Sequence, residues 1–490
     1  MLKRAFCSLI RHSLECNLIE PCDKIWAENL IASRLGLDEV PVCDKADLTF
    51  VESLKILSAF AVEKGIIEDT AAERDIFETE LAGLITPRPS VIIERFNSLY
   101  KKSPREATDW FYKLCCDNNY IRVEDIAKNI EYTTDTEFGT LDITINLSKP
   151  EKDPRDIARA AKLVSSNYPK CGLCPENEGY KGRINHPPRS NLRIIPLMLQ
   201  GEEWGFQYSP YAYLPEHSII LSLEHRPMTI DKKTFEILFD FIDLFPEYFA
   251  GSNADLPIVG GSILSHDHYQ CGRYTLPTMK SEVELPLTFK GYEDLSCGKI
   301  KWPMPIIRIE GSDRDRIVEL SDKILSSWRE YTDEEAFVFA ETDGTPHNTV
   351  TPTAYKNGCN YVMDIMLRNN ITTEEYPLGV YHPRANKHNI KKENIGIIDA
   401  LGLAILPARL KDELEEVARV VESGENPLDN PKTSHHAEWI KEYGFKPCEN
   451  LREKIFEAVG ITYSKILIDA GVYKPDENEA FMRFVNEVNK

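Results

Sequence analysis

The stretch "GGSILSHDHYQCGRY", residues 260–274, sets two histidines one residue apart and a glutamine two further on, behind a short apolar run. A strand turns alternate residues to one face, roughly 6–7 Å apart. On a strand, His266, His268 and Gln270 therefore form a polar row, which is costly next to "PIVGGSIL" unless each side chain has a partner. Imidazole is the commonest metal-binding side chain, so both histidines could be ligands. Alternatively, one binds a metal while the other stays neutral and attacks phosphorus, giving a phosphoryl- or uridylyl-histidine that can then be hydrolysed or passed on. Gln270 could then donate its amide to a phosphoryl oxygen as charge builds there. Gly260, Gly261 and Ser262 let backbone N–H groups approach a phosphate closely. The plain alternative is a solvated strand edge with incidental histidines.

A second spacing bears on that choice. Cys171 and Cys174 in "CGLCPENEG" can converge on one metal ion through a tight turn, and the chain has no second C-x-x-C to complete a four-cysteine site. Further ligands must come from histidines or carboxylates far along the chain. Five histidines (186, 217, 225, 266 and 268) lie between the C-x-x-C and residue 300, so a two-cysteine, two-histidine tetrahedron is arithmetically available. Two unrelated core thiols are the competing reading, and most of the other cysteines read as buried small hydrophobes.

A formal charge of −21 over 490 residues disfavours nucleic acid and anionic membranes as partners. A phosphate-bearing substrate must then be met by local cations. Lys181, Arg183, Arg189 and Arg193 cluster after the C-x-x-C, Arg273 follows the histidine row, and Lys391 and Lys392 stand in "NIKKENIG". Neither a Walker A pattern nor a dinucleotide-binding glycine fingerprint occurs. With no signal-peptide-like N-terminus and no apolar run of membrane-span length, a cytoplasmic protein is expected.

The elements that must position these residues follow from periodicity. Residues 1–135 read mainly as amphipathic helices, such as "FVESLKILSAFAVEKGII" and "EATDWFYKLCCDNNYI". Residues 136–300 read as an α+β unit. "FGTLDITINLSK" is a strand, "WGFQYSPYAYLPEHSIILSLEH" two strands about a Ser-Pro turn, and "TIDKKTFEILFDFIDLFPEYF" a helix; "PIVGGSILSHDHYQCGRY" then returns to strand. Residues 301–406 look like a degenerate repeat: strand "MPIIRIEG", helix "SDRDRIVELSDKILSSWREY", strand "EAFVFAET", turn "DGTPHNTVTP", strand "NYVMDIMLRNN". Residues 407–490 are helical, broken at "ESGENPLDNPKTSHH".

The His-x-His-x-Gln row resembles the histidine triad superfamily of nucleotidyl transferases and hydrolases. Across about Ile19 to Leu410, "INLSKPEKDP", "CGLCPENEGY", "WGFQYSPYAY", "GSNADLPIVGGSILSHDHYQ" and "LGLAILPARL" resemble the longer bacterial class of galactose-1-phosphate uridylyltransferases. That resemblance implies two histidine-triad-like α+β units with largely antiparallel sheets, flanked by helical ends. It implies zinc held by Cys171, Cys174, His225 and His266 as a structural staple, with His268 as nucleophile and Gln270 beside it. Asn253, Gly261 and Ser262 would line the phosphates, and Arg189, Arg193 and Arg273 are candidates to meet their charge. The implied reaction moves UMP between UDP-glucose and galactose 1-phosphate by double displacement, and dimerisation is a family expectation. A histidine triad hydrolase or nucleoside-polyphosphate phosphorylase would use the same His268; a zinc-stapled, non-catalytic nucleotide-binding module would form no adduct. Three positions differ from one class or the other: Asp267 stands where the shorter class has proline, although aspartate is familiar in the longer one; Cys271 stands where glycine is expected; and "NLR" (191–193) stands where many relatives have "NHR".

Overall fold

The computed structural model describes residues 1–148, 166–261 and 263–490. Its strands are, in chain order, β1 (Ile130–Thr136), β2 (Gly139–Ile145), β3 (Ile195–Leu199), β4 (Glu202–Tyr208), β5 (Ser218–Ser222), β6 (Phe249–Gly251), β7 (His268–Gly272), β8 (Val283–Leu287), β9 (Ser296–Ile300), β10 (Ile306–Gly311), β11 (Glu341–Thr342), β12 (Thr345–Pro346), β13 (Asn348–Asn357), β14 (Asn360–Asn369) and β15 (Leu403–Leu406). The fold is α+β with largely antiparallel pairing; the exception among the described strands is the parallel pair β2–β15. One order, three strands, a helix and two strands, occurs twice. It runs first through β3, β4, β5, the helix Lys232–Leu244, β6 and β7, and again through β8, β9, β10, the helix Arg314–Glu330, β13 and β14. Among the described residues, no helix is long and apolar enough to cross a membrane.

The chain divides into two compact units. The first comprises the described residues of Met1–Lys128, Ser148–Ala212 and Glu216–Arg226. Its N-terminal helices begin at conventional signals: Thr49 accepts from the Glu52 amide in a capping box, and Ser103 caps the helix Pro104–Asp117. The last of these places Phe111 against Phe206 and Tyr208 of β4, with ring centroids 6.0 and 5.3 Å apart, and the Tyr208 hydroxyl donates to the Thr108 carbonyl. The meander β3–β4–β5 is thereby fixed under the helices.

The second unit holds Asn129–Leu147, Tyr213–Pro215 and Pro227–Lys490. Its strands pair in the order β7–β6–β13–β14–β10–β9–β8. The register aligns Gln270, Gly251, Thr353, Asp364 and Arg308 as successive cross-strand partners, so these five residues share one face. The two repeat helices lie against the other face. Asn348 donates to the Trp328 and Tyr331 carbonyls, and Lys356 and Tyr361 reach Asp243. A separate core gathers Leu141, Ile143, Trp302, Ile397, Leu403, Val459 and Tyr463 around β1, β2, β15 and the C-terminal helices.

Several expected elements differ. β1 begins at Ile130, inside the stretch read as mainly helical, because "IEYTTDT" alternates and pairs along its whole length with β2. "PIVGGSILSHDHYQCGRY" is strand only from His268. Ile258 has φ of +77° and the loop folds back on itself at Gly260–Gly261, so His266 precedes the strand rather than lying on it. "EAFVFAET" is a turn, with Phe337 at φ +57° and Asp333 bridged to Val338; only Glu341–Thr342 extend. The turn expected over "DGTPHNTVTP" closes at Asp343–Gly344, both at positive φ, and Asn348 onwards is already β13.

Candidate active site and metal-ligating cluster

His268 opens β7 with 4% of its surface exposed, its ring on the face that carries Gln270. Its Nδ1 lies 2.7 Å from the carbonyl oxygen of His266. A carbonyl only accepts, so Nδ1 carries the proton and Nε2 keeps its lone pair. Burial pulls the imidazole down to about 4, against a smaller raising effect of that carbonyl, so the ring is neutral near pH 7. A buried neutral imidazole with one nitrogen fixed by backbone can use the other as a nucleophile. Tyr269 and Cys271 alternate to the opposite face and are fully packed, so Cys271 is turned away from the His268 ring.

The loop before the strand is shaped around Asn253. The Asn253 side-chain oxygen Oδ1 accepts from the Ile397 amide at 2.9 Å. A Cβ added at Gly261 would sit 2.8 Å from Asn253 Nδ2, and one at Gly260 would sit 2.5 Å from the Ala254 carbonyl. The glycine pair is therefore needed for the loop to close on residues 253–254. Asn253 and Gly261 are brought together as expected neighbours; Ser262 lies outside the described residues.

Cys171 and Cys174 face each other with sulfurs 3.5 Å apart, and Cys174 Sγ is 3.2 Å from His225 Nδ1. The C-x-x-C turn is held from behind. Asn177 donates its amide to the carbonyls of both Cys171 and Cys174 at 2.8 Å, and its own oxygen accepts from His186 Nε2 at 2.7 Å. With His266, these residues form a group whose ligand atoms all lie within 4.8 Å of one another. Two thiols and two imidazoles are a donor set suited to a tetrahedral metal ion with no open position. The four residues can hold a metal ion.

The basic residues divide. Arg193 is 6% exposed, and four of its five donors go to the carbonyls of Thr86, Pro87, Ser190 and Leu192. Its guanidinium fastens the segment after the C-x-x-C to the helical region and has little left for a phosphate. Arg189 lies over the Tyr120 ring and donates to Pro188, whereas Arg273 pairs with Glu247. Lys391 is buried against Asp399 and the Ile405 carbonyl. His382 and His388 both turn a nitrogen to the Pro383 carbonyl.

Sequence reasoning named Lys391 and Lys392 in the second repeat but missed Arg308 and Arg368. Arg308 and Asp364 form a buried bidentate pair at 2.8 and 2.7 Å in the cross-strand row of Gln270. Arg368, 1% exposed, belongs to the same face. The signal was the alternation in "NTVTPTAYKN" and "YVMDIMLRN", but a face is assigned only once the register is known.

The sequence matches the profile described as "Galactose-1-phosphate uridyl transferase, N-terminal domain" over residues 19–227 and the corresponding C-terminal domain over 241–439. The chain belongs to the galactose-1-phosphate uridyl transferase family. A protein of Clostridium acetobutylicum named galactose-1-phosphate uridylyltransferase is 49% identical, over 99% of this chain and all of that one. The likewise-named protein of Fusobacterium nucleatum is 46% identical over 98% and 97%. Galactose-1-phosphate uridylyltransferase 1 of Streptococcus pneumoniae serotype 4 is 46% identical over 99% of each. Among solved structures, yeast Ap4A phosphorylase Apa2 is similar at a TM-score of 0.31 and 12% identity, over 61% of this chain and 90% of that one. Family membership spans both repeats and includes the His266–Gln270 segment and the C-x-x-C.

Proposed function

We propose that this member of the family transfers UMP between UDP-glucose and galactose 1-phosphate, with His268 as the nucleophile. The observation that carries this is the 2.7 Å contact from His268 Nδ1 to the His266 carbonyl, which leaves a neutral Nε2 lone pair for phosphorus. In the first displacement, Nε2 forms a bond to the α-phosphorus of UDP-glucose. The bond from that phosphorus to the bridging oxygen breaks, and its electron pair leaves with glucose 1-phosphate. The proton on Nδ1 stays, and the His266 carbonyl stabilises the positive charge the ring acquires. In the second displacement, a phosphate oxygen of galactose 1-phosphate attacks the same phosphorus and the N–P bond breaks. UDP-galactose leaves and Nε2 recovers its lone pair. Gln270 donates to the non-bridging oxygens, and Asn253 with Gly261 and Ser262 line the phosphates; of the arginines, Arg189 and Arg273 are better candidates than Arg193.

Cys171, Cys174, His225 and His266 hold zinc in this reading. Bound there, it staples the C-x-x-C to the chain just before the nucleophile, since four protein ligands leave no site for substrate. The run β3–β7 forms the catalytic unit and the run β8–β14 its degenerate repeat, with helical regions toward both ends of the chain. The enzyme works in the cytoplasm on UDP-sugars and hexose 1-phosphates, as a homodimer.

Incubation with UDP-glucose alone, followed by intact mass measurement, tests the reading. A uridylyl increment that is stable in alkali, labile in acid and discharged by galactose 1-phosphate is expected. An adduct discharged only by water or inorganic phosphate would make this a hydrolase or phosphorylase. No adduct at all would overturn covalent transfer.

A further inference from the structure

The first half of β13 and the end of β14 carry a run of buried polar groups on one face. Residue pairs 347/370, 349/368, 351/366 and 353/364 stand opposite one another, so His347, Thr349, Thr351, Thr353 and Arg368 all point to that side. This is the face of Gln270 and His268, because Thr353 pairs with Gly251 and Gly251 with Gln270. Five atoms on it have no hydrogen-bond partner among the described residues: Arg368 Nε and Nη1, Thr351 Oγ1, Thr353 Oγ1 and His347 Nε2.

Arg368 stands out chemically. Its remaining printed contact is from Nη2 to the Ile395 carbonyl at 2.8 Å. Burial pulls its pKa down to about 10, with no carboxylate acting to raise it. Every other buried arginine described above is satisfied: Arg308 by Asp364, Arg193 by four carbonyls. A guanidinium buried with donors unspent and no acid beside it is arranged for an anion, because its planar fork matches phosphate oxygens. Next to it, threonine hydroxyls can donate to the same oxygens. His347 has its Nδ1 2.8 Å from the Asn370 side-chain oxygen Oδ1, which accepts from it, so Nε2 is left as an acceptor, suited to a hydroxyl rather than to a phosphate.

The stretch also touches the loop that leads to the nucleophile. Thr349 donates to Asp255, two residues beyond Asn253, and Asn253 is itself held by the Ile397 amide. Arg368 is three strands from β7, about 14 Å across the sheet. The reach of an arginine on one side and of a histidine with its bound phosphorus on the other spans most of that distance.

We propose that Arg368, Thr351 and His347 form the subsite for the hexose 1-phosphate half of the substrates, with Arg368 and Thr351 on the phosphate and His347 Nε2 on a sugar hydroxyl. The subsite deepens the transfer reading above and rests on it for the identity of the ligand. It supplies a buried cation on the sheet face of His268, in a chain whose formal charge is −21. A phosphate without a hydroxylated body would engage only part of it, so galactose 1-phosphate is expected to bind more tightly than inorganic phosphate.

Calorimetric titration with galactose 1-phosphate, inorganic phosphate and UMP tests the assignment on the wild type, Arg368→Met and Thr351→Val. The galactose 1-phosphate Kd is expected to rise at least about ten-fold in Arg368→Met and about three- to ten-fold in Thr351→Val. The UMP Kd should move less than about two-fold in both. A purely structural threonine predicts the opposite: deleting an unpartnered buried hydroxyl raises Tm and leaves galactose 1-phosphate binding unchanged. That result would overturn the subsite, and Thr351→Val decides the matter alone if Arg368→Met does not fold. The wild-type uridylyl adduct separates the two levels. Adduct formed with unchanged sugar-phosphate binding in the variants sinks the subsite only; no adduct, with binding still dependent on Arg368, sinks the transfer reading only.

Discussion

His268 Nδ1 and the carbonyl oxygen of His266 lie 2.7 Å apart across a single intervening residue, Asp267. One backbone group thus fixes the tautomer of the second histidine while the side chain of the first joins the metal-ligating group. In the proposed assignment, the two roles that the H-x-H spacing left open are divided by where the strand starts. His266 is still in the loop and can turn to the cysteines, while His268 is the first residue of β7 and takes the orientation of the sheet face.

Replacing His268, the proposed nucleophile, separates chemistry from fold. His268→Asn keeps a polar side chain of similar reach but has no imidazole lone pair. Transfer is expected to fall by at least about a thousand-fold, with no uridylyl increment by mass and a far-UV spectrum like that of the wild type. Substantial residual activity would remove His268 from its assigned role.

The proposed zinc staple predicts that losing the metal costs stability ahead of chemistry. On that proposal, chelation or Cys174→Ser lowers Tm, and Cys174→Ser carries less zinc than the wild type. The support behind the turn is testable on its own. Asn177→Ala deletes the two bonds to the Cys171 and Cys174 carbonyls and strands His186, and should weaken zinc affinity by about 10- to 100-fold. A competition titration with a chromogenic chelator reads that difference directly.

How much of this was legible depended on whether the physics was local. The helix Lys232–Leu244 starts where Asp231 and Thr234 form a reciprocal cap and stops before Pro246, all of it visible in "TIDKKTFEILFDFIDLFPEYF". The C-x-x-C and H-x-H spacings were legible because ligand geometry is written in short distances along the chain. The fate of Arg193 was not: its partners Thr86 and Pro87 are more than a hundred residues away, and a cation beside a C-x-x-C looks the same whether it meets phosphate or carbonyls. Cys271 looked close to His268 in sequence, yet strand alternation places it on the opposite face. Arg368 and Thr351 were invisible as a pair, because only the β13–β14 register sets them on one side.

The Arg308–Asp364 pair should be a strong determinant of stability. Both side chains are buried, their contact is bidentate, and Arg308 also donates to the Thr278 and Ser281 carbonyls. Asp364→Ala leaves an uncompensated buried guanidinium and is expected to cost about 3–5 kcal/mol, read as a lower urea midpoint at unchanged m-value. Because Asp364 lies in the cross-strand row of Gln270, the variant should lose activity in step with its folded fraction.

Acid sensitivity follows from a histidine far from the reaction. His436 is fully buried, and burial lowers it from 6.5 to about 4, although Glu413 at 3.1 Å works the other way. The folded state therefore binds this proton less readily than the unfolded chain, so stability is lost as pH falls from 6.5 toward 4 and is complete above 6.5. At pH 5 the loss from this one group is about 2 kcal/mol. His186, also lowered to about 4 by burial, adds to it in the same direction. Urea unfolding at pH 7 and pH 5 should show the drop. His436→Asn, which cannot titrate, should be less stable than the wild type at pH 7 through loss of its bonds to Glu413 and Asn389, yet fall less steeply between the two pH values. An equal slope in variant and wild type would assign the acid sensitivity to other groups.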